Sequence, residues 1–225
     1  MGTSYSRKRL VGGSFALMLL ALCAFAVMRL PAPALAEPTQ AETGPPPAGK
    51  QVATFAAGCF WSMEAIFKQL RGVERVDPGY AGGTMPHPSY EQVETGQTGY
   101  AESVNIIYDP KVISYKQLLR VLLTVRDPTT LNRQGPDEGT NYRSVIFYHN
   151  AEQKVEAEQA IQQITAEHIW ADPIVTKVQP FTTFWRAEDY HLNYYALHPN
   201  QPYCAYVIAP EIARFRQMYR SELKQ

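Results

Sequence analysis

Cysteine is scarce in this chain, with three in 225 residues. That is too few for a disulfide scaffold. Charge is also sparse. Lys, Arg, Asp and Glu make up 19% of the sequence, and 21 basic side chains offset 21 acidic ones. A nucleic-acid binder would carry a marked basic excess. There is no Cys-x-x-Cys pair, no cluster of Cys and His at zinc-ligand spacing, no glycine-rich phosphate loop and no internal repeat. What is present is a hydrophobic fraction of 45%, with 14 Tyr, 9 Phe and 3 Trp. That composition excludes global disorder and supports a sizeable core. The length suits one ordinary domain or two small ones.

The amino end does not read as part of a fold. Arg7, Lys8 and Arg9 form a basic region ahead of the apolar run Phe15 to Met28. Ala34-Leu35-Ala36 then offers a small-x-small cleavage site. The pattern predicts a secretory signal peptide over residues 1–36, cut after Ala36. The alternative is an uncleaved anchor, which Arg29 keeps open although the run is short for a bilayer span. Leu22 ahead of Cys23 argues against a lipoprotein. In either case the rest of the chain is exported, to the bacterial periplasm on this reading. Cleavage removes Cys23 and four basic residues but no acidic one, so the net charge falls from 0 to −4. Residues 37–50, rich in Pro and Gly, read as a solvated linker.

Residues 51–225 read as one α+β domain, a mixed sheet covered by helices. Strands are expected over Gln51–Ala56, Val73–Tyr80, Arg143–Tyr148 and Ile174–Phe181. Glu102, Val104, Ile106 and Tyr108 alternate with Ser103, Asn105 and Ile107, which predicts a half-buried strand. Phe60, Met63, Phe67 and Leu70 recur at helical spacing. So do Tyr115, Leu118, Leu119, Leu122 and Leu123 behind Ser114 as N-cap. Ala157, Ala160, Ile161 and Ile164 mark another helix, Glu188–Tyr195 a short one, and Ile212, Phe215 and Tyr219 a terminal one. Ala81–Gln97 and Arg126–Tyr142 are long polar loops, a kind usually functional when found inside a compact domain.

The sharpest local feature is Gly58-Cys59-Phe60-Trp61, at a strand-to-helix junction. A thiol at a helix amino end meets free N–H groups and the positive end of the dipole, which favour the thiolate. The bland reading is a buried cysteine in an aromatic core. The loops add Tyr80, Tyr90, Tyr100, Glu102, Asp137, Tyr142, His191 and Tyr194. A carboxyl group in an apolar cleft can stay protonated and serve as a general acid.

Here a family resemblance emerges. Gly58-Cys59-Phe60-Trp61-Ser62-Met63-Glu64 resembles the signature of peptide methionine sulfoxide reductase A. The resemblance continues through Gly79-Tyr80-Ala81-Gly82-Gly83, Pro88-Ser89-Tyr90, Thr98-Gly99-Tyr100-Ala101-Glu102 and Tyr108-Asp109-Pro110. It runs on through Asp127-Pro128-Thr129, Asn132 to Gly139, Tyr142-Arg143-Ser144, Ala187 to His191 and Asn200-Gln201-Pro202-Tyr203-Cys204. The blocks keep the family's order across residues 51–215. Departures are Tyr100 and Arg126 where a histidine is common, Asn141 where glutamine is common, and Leu192 after His191 where glutamine is usual. Ser62 replaces a second cysteine found in some members.

The resemblance implies a ferredoxin-like core and reduction of the S epimer of methionine sulfoxide, free or in proteins. Cys59 would be the nucleophile and Glu102 the proton donor. Tyr90, Asp137 and Tyr142 would bind around the sulfoxide oxygen, and Phe60 and Trp61 would receive the methyl group. Cys59 would become a sulfenic acid, and Cys204 would resolve it as a disulfide. Thioredoxin or a thioredoxin-like domain would then reduce that disulfide, with no bound cofactor or metal and with a monomer as the working unit. His191 matches a family motif without an assigned step. Competing readings are a thiol–disulfide oxidoreductase, a cysteine hydrolase pairing Cys59 with His191 and Asp137, and a binding protein stapled by Cys59 and Cys204.

Overall fold

A computed structural model describes residues 46–225. The signal or anchor over residues 1–36 and residues 37–45 of the linker lie outside the described residues. Lys50, assigned to the linker by composition, belongs to the folded unit. A turn carries its N–H onto Pro47, and its ammonium pairs with Asp109 at 3.0 Å and with Glu74.

The core unit runs β1 (Gln51–Ala56), α1 (Phe60–Phe67), β2 (Val73–Ala81), α2 (Tyr90–Glu94), β3 (Ala101–Tyr108) and α3 (Tyr115–Val125). Two short strands follow, β4 (Arg133–Gln134) and β5 (Asp137–Glu138), then β6 (Val145–Tyr148) and α4 (Ala151–Ala166). The chain ends with β7 (Lys177–Pro180), β8 (Phe184–Arg186), α5 (Tyr194–Leu197) and α6 (Ala209–Met218). The six-stranded sheet has the order β7-β6-β1-β3-β2-β8. Its four central strands pair antiparallel with two helical crossovers, the ferredoxin-like arrangement. The outer strand β7 joins β6 in parallel, which makes the sheet mixed. Ser89 and Ser114 open α2 and α3, each with a reciprocal capping box closed by Gln92 and Gln117.

Strand alternation sorts the sheet into two faces. Ala53, Phe55, Val76, Tyr80, Val104, Ile106, Tyr108 and Ile146 join one core with side chains from α1, α3, α4 and α6. Ala56, Ala81, Ala101, Val145, Phe147 and Phe184 form a smaller cluster on the reverse face. The alternation expected in β3 is present, but its reverse face is not solvated. Ala101 and Ser103 are fully buried, because β3 is a central strand and Phe147 of β6 and Phe184 of β8 join Ala101 in the reverse-face cluster. Strand β8 has only three residues, too short for a periodic signal, and sequence reading missed it. The single helix expected over Glu188–Tyr195 is two pieces, a 3-10 turn at Asp189–His191 and α5. Asn193 lies between them with φ of 56°, and its N–H bonds the buried Glu64 carboxylate.

Gly79 is where β8 locks onto β2. A Cβ there would stand 2.3 Å from the Trp185 carbonyl oxygen and 2.5 Å from the Phe184 ring. Neither neighbour can yield without shifting the strand. Gly79→Ala is therefore expected to cost about 1–3 kcal/mol of stability. For a domain of this size that is a fall in Tm of roughly 2–10 °C. Thermal melts followed by circular dichroism check it, and an unchanged Tm would show that β8 is not held by this contact.

Candidate active site

The turn from β1 to α1 presents Cys59. Gly58 makes the turn possible with φ of +77°, its N–H held by the Tyr142 carbonyl. A side chain at this position would be strained, and it would meet Gln134 and Arg126 within 2.6 Å. Cys59 then occupies the N-cap of α1. Register places Glu102 opposite Tyr80 on the helix-covered face of β3. From there its Oε2 accepts the N–H of Phe60 at 2.9 Å. The carboxyl group thus satisfies a donor of the first helical turn that Cys59 leaves free.

A pocket of about 260 Å³ opens above this junction, lined by Cys59, Phe60, Trp61, Tyr90, Glu102, Asp137, Tyr142, Gln201 and Tyr203. Seven of these were singled out from sequence. Cys204 is not among them. It is fully buried in the main core, at the start of a π-helical turn spanning Cys204–Ile208. The wall beside Cys59 comes instead from its neighbours Gln201 and Tyr203, and Gln201 also accepts the Cys204 N–H at 3.0 Å. Both thiols are free. Sequence reading named the block that contains Gln201 and Tyr203 but attended only to its cysteine.

The pocket has two chemically different sides. On the apolar side, Phe60 stacks with Tyr90, and Trp61 lies flat on Tyr194 at 3.8 Å with Tyr203 edge-on. His191 stands behind them. Its Nδ1 accepts the Trp61 indole N–H at 3.0 Å, which puts its proton on Nε2. Burial pushes the imidazole down to about 4, so it is neutral at pH 7. Its Nε2 makes no hydrogen bond to the described residues and lies 3.8 Å from Glu188. His191 therefore orients Trp61. It is turned toward the indole rather than the thiol, which removes the cysteine-hydrolase pairing.

On the polar side, Asp137 projects from the β4–β5 hairpin and accepts the Tyr203 hydroxyl. Tyr142 follows in a 3-10 turn, Thr140–Tyr142. Its hydroxyl donates to Glu94 at 3.0 Å, and Asn141 donates to the same carboxylate at 3.1 Å. Glu94 was not anticipated. Two carboxylates eight residues apart, with a turn between them, carry no periodic signal.

Electrostatics overturn one expectation. The N–H groups of Trp61 and Ser62 favour the thiolate, although Cys59 makes no side-chain capping bond to the helix. Burial outweighs them, and the Glu102 and Asp137 charges push the thiol further up. Cys59 is only 5% exposed and rests as a thiol. Burial also holds Glu102 well above the usual carboxylate range, opposed by the Phe60 N–H and assisted by Glu94 and Asp137. The two groups are linked, because a neutral Glu102 removes a charge that suppresses the thiolate. Among the described residues no group of three or more His, Cys, Asp or Glu is gathered to hold a metal ion.

The model of the peptide methionine sulfoxide reductases matches residues 51–223. The chain belongs to that family. It is 50% identical over 169 residues to the peptide methionine sulfoxide reductase MsrA of Polynucleobacter asymbioticus, covering 75% of this chain and 89% of that one. It is 50% identical to the MsrA of Thermus thermophilus over 78% of this chain and 98% of that one. Among solved structures it resembles reduced Mxr1 of Saccharomyces cerevisiae at 34% identity and a TM-score of 0.66, over 72% and 92% of the two chains. A methionine sulfoxide reductase A of Corynebacterium diphtheriae matches at 29% identity and a TM-score of 0.61, over 70% and 84%. In a reductase of this family an opposition of apolar wall and buried acid suits a substrate with one methyl group and one polar oxygen.

The thiol–acid link is measurable. Glu102→Gln keeps an acceptor for the Phe60 N–H but can hold no charge. The pH midpoint for alkylation of Cys59 by iodoacetamide, read in a Cys204→Ser background, is expected to fall. An unmoved or raised midpoint would show that the Glu102 charge does not act on the thiol.

Proposed function

We propose that this protein reduces the S epimer of methionine sulfoxide, free or in proteins, to methionine. The observation that carries the reading is the pocket itself, with a buried thiol and a buried, proton-holding carboxyl on one side and Phe60 and Trp61 on the other. The methyl group lies on the aromatic wall. The oxygen faces Glu102, Tyr90, Asp137 and Tyr142. Only one configuration at sulfur satisfies both while presenting the sulfur to Cys59.

Cys59 bonds to the sulfoxide sulfur as Glu102 protonates the oxygen. The hydroxyl then passes from the substrate sulfur to the Cys59 sulfur as the new sulfur–sulfur bond and the S–O bond break, methionine leaves, Cys59 is left as a sulfenic acid, and the proton of the Cys59 thiol returns to Glu102. The Cys204 thiolate then displaces hydroxide from that sulfur, water is released on protonation, and a Cys59–Cys204 disulfide remains. Because Cys204 is buried away from the pocket, this step requires the Gln201–Ile208 segment to rearrange. Its π-helical turn supports that, since wide turns of this kind concentrate at functional sites. A thioredoxin-like dithiol supplies the next pair of electrons, and the cycle needs no bound cofactor. On this reading the working unit is a monomer. Residues 1–36 support export as a cleaved signal or an anchor, and hence a periplasmic reductant and periplasmic repair.

A single-turnover assay on the fully reduced protein without reductant tests this. About one methionine per molecule and the loss of two thiols are expected with the S sulfoxide, and none with the R epimer. Cys204→Ser should release the same first methionine and stop as a sulfenic acid, detectable by a dimedone adduct. No methionine from the reduced wild type would overturn the reading.

A further inference from the structure

The Cys204 segment runs into α6 without a break. Tyr203 and Ala209, on either side of the π-helical turn, both have right-handed helical dihedrals. Unwinding that frees Cys204 therefore meets no intervening loop, and side chains have to set where it ends. Glu211, in the first turn of α6, is tied down at that point. Its carboxylate accepts from Arg126 and, at 2.5 Å, from the Ser62 hydroxyl.

Arg126 is 3% exposed and grips the nucleophile's turn on both sides. Its Nε donates to the Ala57 carbonyl at 2.8 Å, two residues before Cys59. Its Nη1 donates to the Ser62 hydroxyl at 3.0 Å, three residues after it. Arg214, further along α6, donates to the carbonyl of Val125, the residue before Arg126. The end of α3 thus holds α6 twice, and one of the two ties also holds the Cys59 turn. The other end of the Cys204 segment is fastened inside the pocket. The Gln201 side chain accepts the Cys204 N–H at 3.0 Å, and the Tyr203 hydroxyl donates to Asp137. These pocket groups meet whatever occupies the site, whereas the Arg126 bridge lies apart from it.

We propose that Arg126 is a positioning residue for disulfide formation, holding Glu211 so that the α6 end of the Cys204 segment stays in register with the Cys59 turn while the pocket end lets go. This rests on the reaction proposed above. In the resolving step the Cys204 sulfur bonds to the Cys59 sulfur, the Cys59 S–O bond breaks, and the oxygen leaves as water with the Cys204 proton. Its rate follows the effective concentration of one sulfur at the other. A segment anchored beside its target explores a small volume. Released at both ends, it explores a larger one and meets Cys59 less often. Neither Glu211 nor Arg214 lines the pocket, so the first step does not depend on them.

The test times the two steps separately in a single turnover of the reduced protein with free methionine S-sulfoxide. Methionine release reports the first step. Loss of the second thiol reports the resolving step, and dimedone present from the start traps sulfenic acid not yet resolved. Glu211→Ala and Arg214→Ala, made separately, should release methionine at the wild-type rate. Disulfide formation should slow roughly tenfold in Glu211→Ala and less in Arg214→Ala, with the dimedone adduct rising in step. Glu211→Gln keeps an oxygen for Arg126 and Ser62 and should fall between wild type and Glu211→Ala. Arg214→Ala leaves the buried arginine paired, so it stays readable if Glu211→Ala does not fold. Disulfide formation at the wild-type rate or faster in Arg214→Ala and Glu211→Gln overturns the anchor, and so does an equal slowing of both steps. A wild type that releases no methionine overturns instead the reaction on which the anchor rests.

Discussion

The hydrogen bond from the Phe60 N–H to the Glu102 carboxyl joins the two halves of the site. It can form only because β3 is the central strand and turns Glu102 toward the helix layer, directly below the first turn of α1. One helix donor is satisfied and one acid is fixed beside the thiol. The same placement carries a cost. An ionised carboxylate this deep, with a single neutral donor, is expensive, so the group keeps its proton instead. Burial is the first cause of that raised acid and the Glu94 and Asp137 charges add to it, which would give the proposed reaction its proton donor. Cys59 shares that dry environment, which explains why a helix N-terminus does not yield a standing thiolate here.

Positions that depart from the family's common residues are knitted into this arrangement. Arg126, fully inside the protein, donates to the Ala57 carbonyl at 2.8 Å and to Ser62 at 3.0 Å, and it pairs with Glu211. Ser62, which stands where some members have a second cysteine, also donates to Glu211 at 2.5 Å. Together they bind the nucleophile's turn to α6. Tyr100 extends a similar link on the far side, donating to the Met85 carbonyl and accepting the Trp185 indole N–H. Asn141 reaches Glu94. Each of these four residues has a partner that uses its donor or acceptor, whereas Leu192 brings neither.

Much of the frame was legible in the sequence because it is local or periodic. The alternation in residues 102–108 placed Glu102 on the same face as Val104 and Ile106, and the core contains all of that face. The helical spacing after Phe60 placed Cys59 at a helix start. What stayed hidden depends on distant parts of the chain. The half-buried reading of β3 failed because its reverse face packs with Phe147 and with Phe184 of β8, a strand too short for any periodicity to announce. The thiol's protonation state failed because desolvation is a property of the assembled pocket, while the helix dipole is visible in a tetrapeptide. His191 could not be assigned from its motif, since its role is a bond to an indole 130 residues away.

The two cysteines therefore rest in different physical situations, although both are buried. Cys59 faces an open pocket and is held back by its surroundings. Cys204 lies in the main core cluster, and burial raises its thiol. This division keeps the chemistry in order. A recycling thiol exposed in the pocket would compete with substrate for space and would meet oxidants directly. On the proposed mechanism Cys204, buried in the core, takes no part in the first step and is needed only after methionine has gone. Tyr203 links both, since its hydroxyl donates to Asp137, it lines the pocket with Cys59, and its backbone continues into Cys204. Oxidation of Cys59 changes the group that this hydroxyl faces. In the proposed cycle, the surroundings of Cys59 are therefore coupled through one residue to the segment that would have to move.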